Sequence, residues 1–232
     1  MSRARRPGPR SLESLAWLER VDVAGLEPLG RAMGFGWRVT YSHVERLADA
    51  GPVERIYDRG GSVVAITRHG RRLLGAEPGD VRAGATQAFG LVHSRAMSWV
   101  AAYLTLRGRE WIGERALRRD ERWRVPVVWP GSRGTHRPDL ASMVDGWPVA
   151  IEIELTLKAP RRLRAILLGY EAAIAGGKFS GVTYIAGDDA VKAGVRRAAS
   201  IAGLGDRLAV LPLEAVRTRA RELAGGKPWC GA

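Results

Sequence analysis

The sequence has a single cysteine, Cys230, among its 232 residues. One thiol excludes an internal disulfide and a cysteine-rich zinc site. No apolar run reaches the roughly 18 residues that a membrane-spanning helix requires. The basic segment 1–10 is not followed by the apolar stretch of a secretory signal. We therefore expect a cytoplasmic protein that has no membrane partner.

Negative charge is also scarce in this chain. Lysine and arginine together number 37 against 24 aspartates and glutamates, which gives a net charge of +13 and an isoelectric point near 11.0. This imbalance favours a polyanionic partner, and nucleic acid is the expected one. Hydrophobic residues make up 46% of the chain, so it can form packed cores, and its length suits about two domains.

The first third of the chain, residues 11–74, predicts three helices and a β-hairpin. The helices are expected over 11–21, 24–33 and 37–51, the third capped by Thr40, and a short helical tail over 69–74. Alternating apolar residues predict strands at 53–57 and 62–67 around the turn 58–61. This order resembles the winged helix-turn-helix family, which implies double-stranded DNA as the partner.

A second domain is predicted over 91–224, after a linker at 75–90 that is rich in Gly, Ala and Pro. The sequence predicts a helix, a stretch at 110–117 that is open to strand or helix, and two strands turned at Asp145–Gly146. The remaining elements are expected at 161–175 (helix), 181–186 (strand), 189–201 (helix), 207–211 (strand) and a closing helix to 223. The expected fold class is α/β (α+β), with a mixed-sheet sandwich.

The acidic residues of this domain form its most informative pattern. In a strand over 148–157, side chains alternate, so Glu152, Glu154, Thr156 and Lys158 share one face. The hairpin brings Asp139 onto the neighbouring strand. Crowded carboxylates repel one another unless a cation is present, which favours a Mg²⁺ or Mn²⁺ site. The alternative is a solvent-facing acidic edge of a half-exposed strand.

These residues resemble the motif of the PD-(D/E)xK nuclease superfamily, whose core is a helix, three strands, a helix and a strand. Pro138–Asp139 matches the PD, and Glu152-Ile-Glu154 stands where the family has (D/E)xK, with Glu in the lysine position. The resemblance implies Asp139, Glu152, Glu154 and Lys158 as catalytic residues, Lys158 acting for the missing lysine. It implies Asp139, Glu152 and Glu114 as metal ligands.

Most of the chain resembles the replication-relaxation family of plasmid and mobile-element proteins. The matching pieces run from His93-Ser through Trp111-Ile-Gly-Glu-Arg and Arg137-Pro-Asp to Leu167-Leu-Gly-Tyr170. The resemblance implies a metal-dependent DNA endonuclease or nickase directed by its winged helix. The alternative is a non-catalytic accessory factor for plasmid replication or mobilisation, or a transcription regulator. A homodimer, and replication or mobilisation proteins as partners, stay open.

Candidate DNA contacts lie in three places. A recognition helix reads base edges with exposed polar side chains, and a wing contacts the minor groove or phosphates. Arginines at the start of the helix after the acidic strand suit phosphate binding or a solvated helical face. The candidates are Arg38, Tyr41, Ser42, His43 and Arg46 in the third helix, Arg59 in the wing, and Arg161, Arg162 and Arg164. His136 is close to Asp139 in the sequence and could lie at the rim of the acidic site, although a lone histidine is usually structural. Tyr170 is expected in the core.

Overall fold

The computed structural model describes residues 7–58, 60–76, 88–129, 132–226 and 229. The chain divides into two compact units, one formed by residues 1–107 with 219–232 and the other by residues 108–218. Helices and several sheets, with both parallel and antiparallel strand pairs, make up the described part. The predicted α+β fold class is therefore confirmed. No described helix has the length and apolar character needed to cross a membrane.

The first unit begins with helices and a three-stranded antiparallel sheet. Its β1 and β2 both pair antiparallel with β3, in the order β1-β3-β2. The elements are α1 (Pro9–Val21), β1 (Val23–Gly25), α2 (Leu26–Ala32), α3 (Trp37–Asp49), β2 (Val53–Asp58), β3 (Gly61–Ile66) and α4 (Arg68–Leu73). Leu15, Leu18 and Val21 of α1 are buried at helical spacing. The predicted hairpin and three helices are therefore present.

Two local predictions in this unit are wrong. Ala24 and Gly25 belong to β1 rather than to the second helix, because the backbone at 23–25 pairs with residues 63–65 of β3. Thr40 does not cap α3, which begins at Trp37 after Gly36. The Thr40 hydroxyl instead donates a hydrogen bond of 3.0 Å to the Gly36 carbonyl, one turn earlier.

The predicted domain boundary also differs from the one in the structure. Helix α5 (Ala88–Leu106) belongs to the first unit, although the sequence places it in the second domain. Leu91 joins the buried cluster of Val23, Val63 and Ala65, and the Ser98 hydroxyl accepts a hydrogen bond from the Gly25 amide. An apolar helix stays with the core that buries it, whatever its position in the chain. Of the predicted linker 75–90, residues 77–87 lie outside the described residues.

The second unit follows with a mixed sheet, a separate strand pair and several helices. Its strands are β4 (Trp111–Ile112), β5 (Val125–Trp129), β6 (Ser132–His136), β7 (Leu140–Val144), β8 (Trp147–Glu154), β9 (Gly181–Ala186) and β10 (Leu208–Pro212). Its helices are α6 (Glu114–Arg119), α7 (Pro160–Ala175) and α8 (Asp189–Ile201), and α9 (Leu213–Leu223) begins in this unit. The stretch left open at 110–117 thus holds a short strand and then a helix.

The main sheet has the order β10-β9-β8-β7-β4, and β5 pairs with β6 in a separate ribbon. β7 and β8 are antiparallel through the predicted turn, where Asp145 and Gly146 both have positive φ. β8 and β9 are parallel, joined through α7, and β10 is parallel to β9. Along the chain, the strands of this sheet follow in the order β4, β7, β8, β9 and β10, with α6 and the β5–β6 ribbon between β4 and β7.

Candidate acidic site and nucleic-acid surfaces

Glu152 and Glu154 are buried in the central strand of the sheet. Each is only 2% exposed, and Ile151 and Ile153 on the opposite face are 4% exposed. Both faces of β8 are therefore covered, and the alternative of a solvent-facing acidic edge does not hold. Desolvating two carboxylates is costly unless hydrogen bonds or cations compensate them, so their partners define the chemistry of the site.

β8 ends at Glu154, earlier than the sequence predicts. Glu154 pairs with Ala186 of β9, and its carbonyl accepts a hydrogen bond from the Gly187 amide. The chain then leaves the sheet and enters α7 at Pro160, a residue favoured in a first helical turn. Thr156 and Lys158 therefore lie beyond the strand, and the predicted alignment of four residues on one strand face holds only for Glu152 and Glu154.

Asp139 lies immediately before β7, at the same end of the sheet. Its amide donates a 3.0 Å hydrogen bond to the Ile151 carbonyl. Its Oδ2 accepts a 2.8 Å hydrogen bond from the Ile153 amide. Because Leu140 pairs with Ile151, Asp139 comes opposite Glu152 in the antiparallel register. The structure thus brings Asp139 to the acidic part of β8, as the sequence predicts.

The Glu152 carboxylate has two side-chain donors. Its Oε1 accepts a hydrogen bond from the Tyr170 hydroxyl of α7 and lies 2.7 Å from His136 Nε2. Burial by itself would lower the pKa of His136, but the charge and hydrogen bond of Glu152 and the charge of Asp139 raise it overall. Burial and the Glu152 charge raise the pKa of Tyr170 well above its ordinary value, so this hydroxyl keeps its proton.

The Glu154 carboxylate is held by Lys158. Its Oε1 accepts a 3.2 Å hydrogen bond from the Lys158 amide, and its Oε2 pairs with the Lys158 ammonium. Burial raises the pKa of Glu154, and the Lys158 charge and hydrogen bonds offset only part of this effect. Lys158 thus sits beside the glutamate that stands in the lysine position of the nuclease motif, although it comes from the turn after β8.

Sequence reasoning gave too small a role to three residues of this site. His136 was expected only at its rim and Tyr170 only in the core, whereas both contact Glu152. Tyr184, paired with Glu152 in the β8–β9 register, was not among the predicted site residues. Burial first, and then the charges of Glu152, Glu154 and Asp139, raise the pKa of Tyr184 well above its ordinary value. The alternation of β9 was the one available signal for Tyr184.

Glu114, the third predicted metal ligand, follows β4, which pairs with β7. It begins α6 and pairs with Arg118 one turn later. Among residues 7–58, 60–76, 88–129, 132–226 and 229, no group of three or more Asp, Glu, His or Cys side chains is arranged to hold a metal ion. The predicted trio of Asp139, Glu152 and Glu114 is therefore not formed.

A smaller set of ligands remains for a hydrated cation. Mg²⁺ is commonly bound by one or two carboxylates, with waters and substrate phosphates completing its shell. Asp139, just before β7, and Glu152 of β8 lie opposite each other, and the charges of both act on His136. Two carboxylates suffice for a cation that keeps most of its waters, and they are too few for a closed cage of protein ligands.

In the first unit, α3 presents most of the predicted DNA-contacting residues. Arg38, Tyr41, Ser42 and Arg46 are exposed on one side of the helix. His43 is the exception: it is buried, 3.1 Å from the Ser14 hydroxyl and edge-on to the Phe35 ring. Burial, and then the charges of Arg46 and Arg10, lower the pKa of His43. The prediction that His43 reads DNA is therefore wrong, because the helix turns it into the core.

Arg55 of β2 links the hairpin to α3, a role that the sequence did not suggest. Its guanidinium carbon lies 4.6 Å from the centre of the Tyr41 ring and 4.8 Å from that of Tyr57. It also pairs with Glu45 and donates a hydrogen bond to the Ser62 hydroxyl. These contacts hold Tyr41 in place on the exposed side of α3.

The other candidate DNA contacts divide into two groups. Arg161, Arg162 and Arg164 are all exposed in the first two turns of α7, so they are accessible to a phosphate. Arg59, the candidate in the wing, lies outside the described residues.

No known family model and no curated protein matches the chain. Among solved structures, the chain is similar to the crystal structure of protein VC1899 from Vibrio cholerae, with a TM-score of 0.39 and 12% sequence identity. The match covers 96% of this chain and 59% of that protein, so the chain spans less than two thirds of its length. At this level of similarity, the function has to be argued from the site itself.

Proposed function

We propose that this chain is a DNA-binding phosphodiester hydrolase of the replication-relaxation type, acting in the cytoplasm as an endonuclease or nickase of a plasmid or mobile element. One observation carries the proposal. Asp139, just before β7, lies opposite Glu152 of the paired strand β8, and a lysine is held beside Glu154 at the same end of the sheet. This arrangement supports the resemblance to the PD-(D/E)xK motif, with Lys158 supplying the cation that the motif lacks at position 154.

In this proposal Asp139 and Glu152 hold Mg²⁺ or Mn²⁺. When bound, such an ion supplies an acidic water and a positive charge for the phosphate that is cleaved. Tyr170 and His136 orient the Glu152 carboxylate through its Oε1, and the Ile153 amide orients Asp139. Lys158 keeps a positive charge beside Glu154, where it neutralises phosphate charge. Glu154 positions the Lys158 side chain.

The winged helix would direct this site to double-stranded DNA. Exposed Arg38, Tyr41, Ser42 and Arg46 on α3 are residue types that contact base edges and phosphates in the major groove. The net charge of +13 favours association with any polyanionic duplex. Arg161, Arg162 and Arg164 would add phosphate contacts in the second unit.

A second candidate function is a non-catalytic DNA-binding factor for plasmid replication or mobilisation, or a transcription regulator. Each carboxylate of the site already has a protein donor, namely the Ile153 amide for Asp139, Tyr170 and His136 for Glu152, and Lys158 for Glu154. A site satisfied in this way can also persist as a structural network, which favours this alternative.

Incubation of supercoiled plasmid with the purified protein and Mg²⁺ or Mn²⁺ separates the two functions. We expect nicking or linearisation that disappears with EDTA and in Asp139→Asn, while a duplex gel shift persists in that variant. Asp145→Asn, in the β7–β8 turn, is the matched control and should cleave normally. If the unmodified protein shifts duplex DNA but cleaves the plasmid with neither Mg²⁺ nor Mn²⁺, the hydrolase proposal is contradicted. The non-catalytic DNA-binding factor then remains as the proposed function.

A further inference from the structure

An apolar groove opens beside the acidic site, between the start of α7 and the end of α8. Its volume is about 390 Å³. The apolar side chains that line it are Leu157, Pro160, Leu163, Ala198 and Ile201. Ile201 is 63% exposed and Leu157 is 41% exposed. Large aliphatic side chains exposed together in a concave surface are typical of a binding site.

The edge of the same groove is entirely cationic. Lys158, Arg161, Arg164 and Arg197 line it, and none of the described residues that line it is acidic. Within the part of the chain that the structure describes, Arg161, Arg164 and Arg197 form no ion pair. Three arginines therefore keep guanidinium groups available to an anionic ligand, which selects against a neutral apolar one.

A ligand that fits this groove must carry negative charge at its edges. It must also present a flat or apolar face to the aliphatic side chains that form the floor of the groove. A DNA duplex presents only its phosphates and sugars to such a concave surface, because its bases are stacked inside. An unpaired nucleotide offers both parts, a base for the aliphatic floor and flanking phosphates for the arginines. Charge and apolar character together thus favour an unpaired strand over a duplex.

We propose that this groove binds an unpaired segment of nucleic acid, with a base on Leu157 and Ile201 and the flanking phosphates on Arg161, Arg164 and Arg197. The inference rests on the proposed function, which it narrows to a substrate that has a single-stranded segment at or beside the cleaved phosphate. Lys158 connects the two places, because it lines the groove and also pairs with Glu154.

The test compares the affinity of three fluorescent probes for the full chain in EDTA, where no metal-dependent cleavage occurs. The probes are a short oligothymidylate, an abasic strand of the same length and a duplex of the same length. We expect the oligothymidylate to bind more tightly than the abasic strand. Ile201→Gln should weaken oligothymidylate binding about fivefold and leave the abasic strand unchanged, because only a base covers the apolar floor. Leu168→Gln, on exposed α7 surface outside the groove, is the matched control.

The cationic edge is tested separately with Arg197→Ala against Arg196→Ala, an exposed neighbour that does not line this groove. Arg197→Ala should weaken both single-stranded probes about three- to tenfold and lower the slope of log affinity against log salt by about 0.7. Arg196→Ala should not. Equal binding of abasic and thymidylate strands, or equal effects of the two glutamine variants, would overturn the inference. Equally effective competition by polyglutamate would overturn it too, since it would show a site for charge alone.

These outcomes are independent of plasmid cleavage. Groove-dependent oligothymidylate binding without plasmid cleavage would support the inference while the hydrolase fails. Plasmid cleavage without a thymidylate preference would support the hydrolase and overturn the inference.

Discussion

His136 Nε2 lies 2.7 Å from Glu152 Oε1, the same oxygen that accepts the hydrogen bond of the Tyr170 hydroxyl. One buried carboxylate thus connects the ribbon strand β6, the central strand β8 and helix α7. The neighbouring carboxylate, Glu154, is connected to the turn before α7 through Lys158. The acidic site therefore contributes to the packing of the unit as well as to its proposed chemistry, and variants at its residues test both.

The His136–Glu152 pair predicts a specific dependence of stability on pH. The pKa of His136 is raised above its ordinary 6.5 in the folded chain, so the stabilisation is fully present below about pH 6.5. It is lost as the pH rises through the folded-state pKa. The free energy of unfolding should therefore decline as the pH rises through the pKa of His136, and His136→Gln should remove the share of this decline that comes from the pair. Urea unfolding across pH in EDTA measures it, with His69→Gln, at an exposed histidine, as control. If the free energies of unfolding of the unmodified protein and of His136→Gln change with pH in parallel, the stabilising His136–Glu152 pair is contradicted.

Tyr170→Phe removes a hydrogen bond to a carboxylate that stays buried. We expect a loss of about 1–3 kcal/mol in the free energy of unfolding, because Glu152 is left with fewer donors. Tyr184→Phe is the matched control, since the described residues show no hydrogen bond from the Tyr184 hydroxyl to these carboxylates. Its loss should be well below that of Tyr170→Phe in the same denaturant titration. Losses of equal size would show that the hydrogen bond to Glu152 adds nothing beyond the removal of a buried hydroxyl.

Lys158→Met leaves the Glu154 carboxylate buried without its cation. We expect a loss of about 2 kcal/mol at neutral pH, less than for a fully buried pair because the Lys158 side chain is 24% exposed. The pKa of Glu154 is already raised, so its contribution to stability falls as the pH rises from 4.5 through the folded-state pKa. Lys158→Met should steepen that fall, and the added Glu154→Gln should abolish it. A double-mutant cycle by urea unfolding measures the coupling, and a coupling near zero would contradict the pairing.

Arg46→Ala tests the exposed side of α3. Loss of one phosphate or base contact should weaken duplex binding about tenfold and lower the slope of log affinity against log salt by about 0.9. Arg219→Ala is the control. Arg219 is exposed and pairs with Glu222 of the same helix, α9, so it belongs to the same unit as Arg46 but not to α3. His43→Gln should lower stability without changing the salt slope, since His43 is buried against Ser14. If Arg46→Ala leaves the slope of log affinity against log salt unchanged, the proposed DNA contact of the exposed side of α3 is contradicted.

Short-range sequence patterns were sufficient to predict most of the helices and strands of this chain. The spacing of Leu15, Leu18 and Val21 predicted α1, and the Asp145–Gly146 turn predicted the β7–β8 hairpin. Local pattern failed where pairing with distant residues decided the outcome. Ala24 and Gly25 form a strand because β3 lies alongside them, and α5 joins the first unit because Val23, Val63 and Ala65 bury Leu91.

The sequence by itself determined the α+β fold class and brought Asp139 alongside the strand of Glu152, since alternation and turn chemistry are local properties. Only the tertiary structure decided that both glutamates are buried, that His136 and Tyr170 hold Glu152, and that Lys158 reaches Glu154 from beyond the strand. It also turned His43 into the core and left Glu114 with Arg118. These outcomes depend on which elements pack together, because burial and hydrogen-bond partners are set by residues far apart in the chain.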